Sequence, residues 1–367
     1  MAINSLYIHI PFCLTKCGYC AFYSVPGPES TLIDEYIQRL TKDFEDAAPY
    51  CGSLRSIYMG GGTPSLLSPA QSGTLLSLIT DFFCLSDDCE FTVECNPESV
   101  STEKLEVWRA AGINRLSMGV QSFDRKMRQQ LGREVADATI RRALMLISEA
   151  GFPRLSLDLI YGIPGQSVES WRREVETACG SGVNHLSMYN LTIEEQSLLS
   201  AAGVAPVGDN IAVEMWDAAA ETAAEYALER YEVSNFARPG AECRHNLDIW
   251  HGAEYIGCGP AAASFADGQR WTQPANLEAW LARATPAVDE ISAEARATEI
   301  MAFGLRTVKG WARAEFQAKT GYDMMSLRGE EIRTLCSQGL LEIHNGQVTP
   351  TRQGLLFADH VAMELLL

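Results

Sequence analysis

No part of the 367-residue sequence approaches the roughly 20 consecutive apolar residues that a bilayer-spanning helix requires; the best candidate, 75–85, is interrupted by Ser77, Thr80 and Asp81. No leader is expected either, because MAINSLYIHIPFC has no charged start, no long apolar core and no small-residue cleavage site. The expectation is a cytoplasmic protein with no transmembrane segment. Positive charge is scarce: 29 Lys and Arg face 47 Asp and Glu, a formal net charge of −18. Such a field repels phosphate backbones, so no nucleic-acid partner is expected. Internal repeats and low-complexity stretches are absent. Cysteine is not scarce, at eleven residues. In a cytoplasmic chain of this length that argues for reduced thiols, some of them metal ligands, rather than a disulfide framework.

Apolar or alternating runs at 5–11, 56–62, 90–97, 115–121, 154–162 and 185–191 read as six parallel strands. Amphipathic stretches at 31–47, 101–111, 137–150 and 168–179 read as helices between them. The unusual residues follow the strand ends, in GGGTPS, ECNPES, GVQSFD and DLIYGIPG. That distribution predicts an α/β fold, a partial six-unit β/α barrel of the TIM type with its working loops at one edge. Residues 1–209 would form this barrel. Residues 210–290, with an alanine-rich helix and the block CRHNLDIWHG, would form a lid-like extension. Residues 291–367 read helix, helix, hairpin, helix, a small winged-helix-like α+β domain.

Cys13, Cys17 and Cys20 follow the first strand at spacing C-x3-C-x2-C. Chance gives that spacing in about one such chain in a hundred. Three thiolates on a short loop suit three irons of a [4Fe–4S] cluster and leave the fourth iron open for chemistry. The alternative is zinc, with His9 as the fourth ligand. The other eight cysteines form no comparable cluster and read as reduced thiols.

The triplet, with GGGTP after the second strand, resembles the radical S-adenosylmethionine superfamily. The succession YIHIPFC, GGGTPSLL, ECNPES, RLSMGVQSF, LGR and DLIYGIPGQ resembles the oxygen-independent coproporphyrinogen III oxidase-like family, and most closely its heme-chaperone branch. By position, the resemblance makes Cys13, Cys17 and Cys20 the cluster ligands. S-adenosylmethionine would bind the open iron, and its reductive cleavage would give methionine and a 5′-deoxyadenosyl radical. The resemblance places Tyr7, Gly61 and Glu94 around this molecule. It places Tyr19, Gly62, Thr63, Gln121, Arg133 and Asp158 around a second one. An ordinary barrel-rim salt bridge is the alternative for Arg133 and Asp158.

Two departures separate the chain from the oxidase pattern: Phe22 stands where that pattern has a further cysteine, and the oxidase's long N-terminal extension is absent. The chaperone branch carries H-N-x-x-Y-W, matched here by His245-Asn246-Leu247-Asp248-Ile249-Trp250 with Ile249 in place of the tyrosine. The resemblance implies heme at His245 and Trp250. His251, Cys243 and Cys258 are competing ligands, and a purely structural role for the block is the further alternative. It also implies heme as cargo, a heme-accepting respiratory protein, and an electron donor such as flavodoxin or ferredoxin. The alternative functions are oxidative decarboxylation of coproporphyrinogen III and radical methyl transfer. The apolar end VAMELLL leaves a peripheral membrane contact open beside simple packing on its own domain.

Overall fold

The computed structural model describes residues 2–195 and 197–367. Six strands, β1 (Ile3–Ile10), β2 (Cys51–Gly61), β3 (Leu85–Cys95), β4 (Arg115–Gln121), β5 (Arg154–Tyr161) and β6 (His185–Asn190), lie side by side in chain order. Every neighbouring pair is parallel, as the six runs predict. The crossovers are made by α1 (Ser30–Ala47), α2 (Pro69–Phe82), α3 (Thr102–Ala110), α4 (Asp137–Ala150) and α5 (Val168–Gly180).

Both faces of the sheet are buried, and they differ in chemistry. Leu6, Ile8 and Ile10 alternate with Ser5, Tyr7 and His9, and the same alternation recurs in the other strands. The apolar set packs under the helices, where α1 lays Ile33, Ile37, Leu40 and Phe44 along one stripe. Each such side chain contributes about 2 kcal/mol by leaving water. The polar set turns inward and pairs across strands: Ser56 with Ser5, Ser117 with Asp158, and Ser156 with His185. The barrel is therefore lined with hydroxyls, carboxylates and imidazoles, and its apolar core lies outside it.

β2 and β3 begin earlier than their patterns predict, at Cys51 and Leu85. Gly52, Asp87 and Asp88 make those segments look like turns, but Leu54 pairs with Leu85 before the register shifts. The larger difference concerns 210–290. This segment is no separate lid, because it supplies three of the nine strands of the sheet. After α6 (Asp209–Ala224), Asn235–Ala237 adds antiparallel to β6 and Glu229–Arg230 adds beyond it. The chain then passes under the barrel through α7 (Arg244–Trp250) and returns as Ile256–Cys258, parallel to β1.

The C-terminal segment has its own core of Trp311, Phe316, Met324, Ile332, Leu335 and Val348, enclosed by the helices Ala293–Gly304, Arg313–Thr320, Met324–Ser337 and Ala358–Leu366 and a small three-stranded sheet. Arg306 and Arg352 tie it to Glu232 and Asp217 of the preceding segment.

Candidate functional site

At the C-terminal end of the strands the cysteine loop is held by backbone on both sides. The Gly18 N–H donates to the Leu131 carbonyl at 3.0 Å, and Leu199 N–H donates to Gly18 at 2.9 Å. Cys13, Cys17 and Cys20 are free, half-buried thiols on this loop. The Thr63 hydroxyl donates to the Cys13 sulfur at 3.7 Å, and Arg133 Nη1 donates to the Cys17 sulfur at 3.8 Å. Among the described residues no three His, Cys, Asp or Glu converge on a point that would hold a single ion. A cubane makes a different demand, since each of three sulfurs bonds a different iron. His9 is not available as a zinc ligand in this arrangement. Its Nδ1 is bonded to Tyr7 at 2.9 Å and its Nε2 to the Tyr23 carbonyl at 3.1 Å.

The GGGTP turn forms the adjoining wall. Gly61 has φ +106°, and a Cβ there would stand 2.5 Å from the His9 ring; at Gly62 it would stand 2.6 Å from the Phe12 carbonyl oxygen. The turn is also sewn to the chain entering the cysteine loop, by Gly62 N–H to Ile10 at 2.8 Å and Thr63 N–H to Phe12 at 2.7 Å. These glycines therefore serve chain packing as well as any ligand.

Glu94 faces the turn. Its Oε1 accepts from the Tyr58 hydroxyl at 2.7 Å and its Oε2 from the Gly61 N–H at 3.1 Å. Burial, helped by the charge of Asp158, raises its carboxyl to about 7. Burial also raises Asp158, against the hydroxyls of Ser187 and Ser117. Two carboxylates in one enclosed site favour a cationic ligand group. Arg133 is 8% exposed, and its Nη2 donates to Asn96 Oδ1 at 3.1 Å and the Gly119 carbonyl at 2.8 Å. Its Nε is buried without a partner, a donor left for an anionic group. Gln121, beside it, is held at φ +68°, an uncommon backbone state for a residue with a side chain.

Sequence reasoning assigned no role to Tyr58 or Asn96, although Asn96 lies in the quoted ECNPES. Asn96 donates to Thr63 at 3.1 Å while accepting from Arg133, and so joins two expected site residues. Tyr19 packs against the small apolar cluster of Met127, Leu131, Ile163 and Leu199. Tyr7 lies with its ring 6.3 Å from that of Tyr58.

His245 and Trp250 lie elsewhere. His245 is 4% exposed at the opposite end of the strands, with Nδ1 3.0 Å from the Ser56 hydroxyl and its ring stacked on Tyr58 at 5.3 Å. Burial lowers its imidazole to about 4, so it is neutral near pH 7. Trp250 is half-buried beneath the Arg306 guanidinium, 4.8 Å away. The His251 ring lies edge-on to Trp311 at 4.9 Å, and its Nδ1 bonds the Leu247 carbonyl at 2.9 Å. Cys243 and Cys258 are buried, at 4% and 1% exposure. Between the two ends is a polar chamber of about 50 Å³, bounded by Glu94 and Asp158 above and by Arg115, Cys243 and Asn246 below.

The three thiols, the glycine cradle, the carboxylate pair and the free Arg133 donor fit a cluster and a zwitterionic, cationic cofactor of the S-adenosylmethionine kind.

Comparison with known proteins gives the same outline. Residues 7–178 match the model of the radical SAM superfamily, and 291–357 match that of the HemN C-terminal domain. The chain is 34% identical to the heme chaperone HemW of Mycobacterium tuberculosis, over 98% of this chain and 94% of that one. It is 32% identical to the heme chaperone HemW of Escherichia coli, over 99% and 98%. Among solved structures, the coproporphyrinogen III oxidase HemN of Escherichia coli, described as a radical SAM enzyme, superposes with a TM-score of 0.87 over 99% of this chain and 90% of that one. At 21% identity that likeness shows the fold alone.

Proposed function

Since the chain belongs to the heme chaperone HemW family, within the radical S-adenosylmethionine superfamily, we propose that it is a heme chaperone, binding heme and passing it to a heme-accepting respiratory protein. What carries this reading is identity above 30% along nearly the full length of several chaperones of that name, spanning barrel, extension and C-terminal domain alike.

In this reading Cys13, Cys17 and Cys20 hold the [4Fe–4S] cluster. When bound, cluster and S-adenosylmethionine together supply reductive cleavage of the sulfonium, fed by a donor such as flavodoxin or ferredoxin. The protein's own part is placement. The backbone at Gly61 lets the methionyl group approach, and Glu94 takes its ammonium. Arg133, Asp158, Gln121, Tyr19, Gly62 and Thr63 are assigned to a second cofactor molecule. Heme itself is assigned to the surface at Trp250, the half-buried end of the family's motif, because His245 is enclosed between Ser56 and Tyr58.

The test is to reconstitute the cluster anaerobically, titrate heme by its absorption bands, and assay the same reduced samples for 5′-deoxyadenosine with and without coproporphyrinogen III. Stoichiometric heme binding without decarboxylated product supports the chaperone. Conversion to protoporphyrinogen IX replaces it with the oxidase.

A further inference from the structure

The block at 243–251 has two possible relations to the site above it. It either presents a ligand outward, or closes the barrel from below. We propose the second: Tyr58 and His245 are positioning residues for the Glu94 carboxylate, and His245 acts on the cofactor pocket through Tyr58 rather than as a ligand of heme iron. The inference deepens the reading of Glu94 as the partner of the S-adenosylmethionine ammonium and rests on it.

The contacts run without a gap from floor to pocket. Arg115 Nε donates to Glu90 Oε2 at 3.1 Å, and Arg115 Nη2 donates to the carbonyls of Ala241 and Glu242 at 2.6 and 2.7 Å. Glu90 Oε1 accepts the backbone N–H of His245 at 3.2 Å, so the entry to α7 is anchored to a buried ion pair. The imidazole is fixed by Ser56 and stacks on Tyr58 with an interplanar angle of 29°. Ser56 and Tyr58 are inward positions of the same strand, so the ring is aligned by β2 itself. Tyr58 delivers its hydroxyl to Glu94 Oε1, leaving Oε2 to Gly61. The carboxylate is thus aimed by one phenol and one backbone amide, and the phenol is aimed by His245.

The ring is 4% exposed against Tyr58, so a porphyrin reaches it only if α7 lifts from Glu90 and uncovers it. Asn246, the next residue, borders the same chamber as Glu94 and Asp158. Asn246 therefore belongs to the underside of that chamber, with His245 behind it against Tyr58. A pocket held this way loses ligand affinity when a supporting group is removed, although that group never touches the ligand.

The test uses the full chain with its cluster reconstituted, measuring S-adenosylmethionine binding by equilibrium dialysis and ferric heme binding by absorption and electron paramagnetic resonance. Tyr58→Phe keeps the stack and removes only the hydroxyl; it should weaken S-adenosylmethionine about tenfold, the scale of one hydrogen bond to a charged group. His245→Phe keeps a flat ring under Tyr58 without a ligating nitrogen and should retain affinity within about threefold, whereas His245→Ala should lose about tenfold. All three should keep the wild-type heme spectrum. Unchanged S-adenosylmethionine binding in Tyr58→Phe overturns the proposal. So does loss of the heme signature in both His245 variants with cofactor binding intact, which would restore His245 as the iron ligand. Wild type that fails to bind S-adenosylmethionine removes the reading of Glu94 itself, and the proposal with it.

Discussion

Arg115 and Glu90 form an ion pair at 3.1 Å with both side chains 2% exposed, and this pair, on adjacent strands, also holds the chain that enters α7. Further hydrogen bonds support the two charges out of water, Arg115 Nη2 donating to two carbonyls and Glu90 Oε1 accepting from the His245 amide and the Cys243 thiol, while Arg115 Nη1 is buried without a partner among the described residues. The pair is the joint between barrel and extension.

Arg115→Met should therefore destabilise the protein by about 3 kcal/mol, since it leaves Glu90 buried without its partner. Removing both charges, in Glu90→Gln with Arg115→Met, should recover part of that loss. Urea unfolding of the two variants against wild type measures it; equal losses in single and double variants would show that the pair is not the joint.

The folded Glu94 carboxyl, at about 7, binds its proton more tightly than the ordinary value of 4.5. The folded state then holds more protons than the unfolded one between these values. The resulting stabilisation is complete below about pH 4.5 and is lost as pH rises through 7. At about 1.4 kcal/mol per unit, the loss is on the order of 2 kcal/mol after allowance for partial exposure of the site. Asp158, Tyr58 and Tyr189 line the same chamber, Tyr7 feels the Glu94 charge, and Asp158 is raised too. The comparison must accordingly be wild type against Glu94→Gln, whose stability should fall less between pH 5 and 8. Parallel curves would contradict the assignment.

In the same pH range the affinity for S-adenosylmethionine should rise with pH, because an ammonium pairs with the ionised carboxylate. Glu94→Gln should weaken binding at least about tenfold and flatten the pH dependence. Calorimetric titration at pH 6 and 8 gives both numbers.

Alanine at Cys13, Cys17 or Cys20 should each abolish the visible absorption of a reconstituted cluster, while Cys84→Ala, at an exposed thiol, should leave it intact. Iron and sulfide analysis of the four variants decides the matter; a cluster surviving any one of the three changes would remove that residue from the ligand set.

Gly61→Ala combines a positive φ with a methyl 2.5 Å from the His9 ring, so strain and overlap act together. A loss of more than about 2 kcal/mol is expected, compared with about 1 kcal/mol for Gly112→Ala, where φ is positive but the space is open. Thermal unfolding of the two variants separates backbone strain from crowding.

The alternation Ser5, Tyr7, His9 against Leu6, Ile8, Ile10 is a local pattern, and so is a run of loops with glycines and cysteines after each strand. Both were legible because strand sterics put successive side chains on opposite faces, and a parallel β/α unit returns every such loop to one edge. The sequence by itself therefore determined the six-stranded parallel frame, the cysteine loop and the carboxylate opposite the glycine turn. It did not determine that residues 210–290 would complete the sheet at both edges, or that His245 would stack on Tyr58 from 187 positions away. Nor did it show that Asn96 would join Thr63 to Arg133. Those pairings depend on which distant segment meets which buried face. They are decided only when desolvation of the whole interior forces each polar group, such as Glu90 or the Tyr58 hydroxyl, to find its partner.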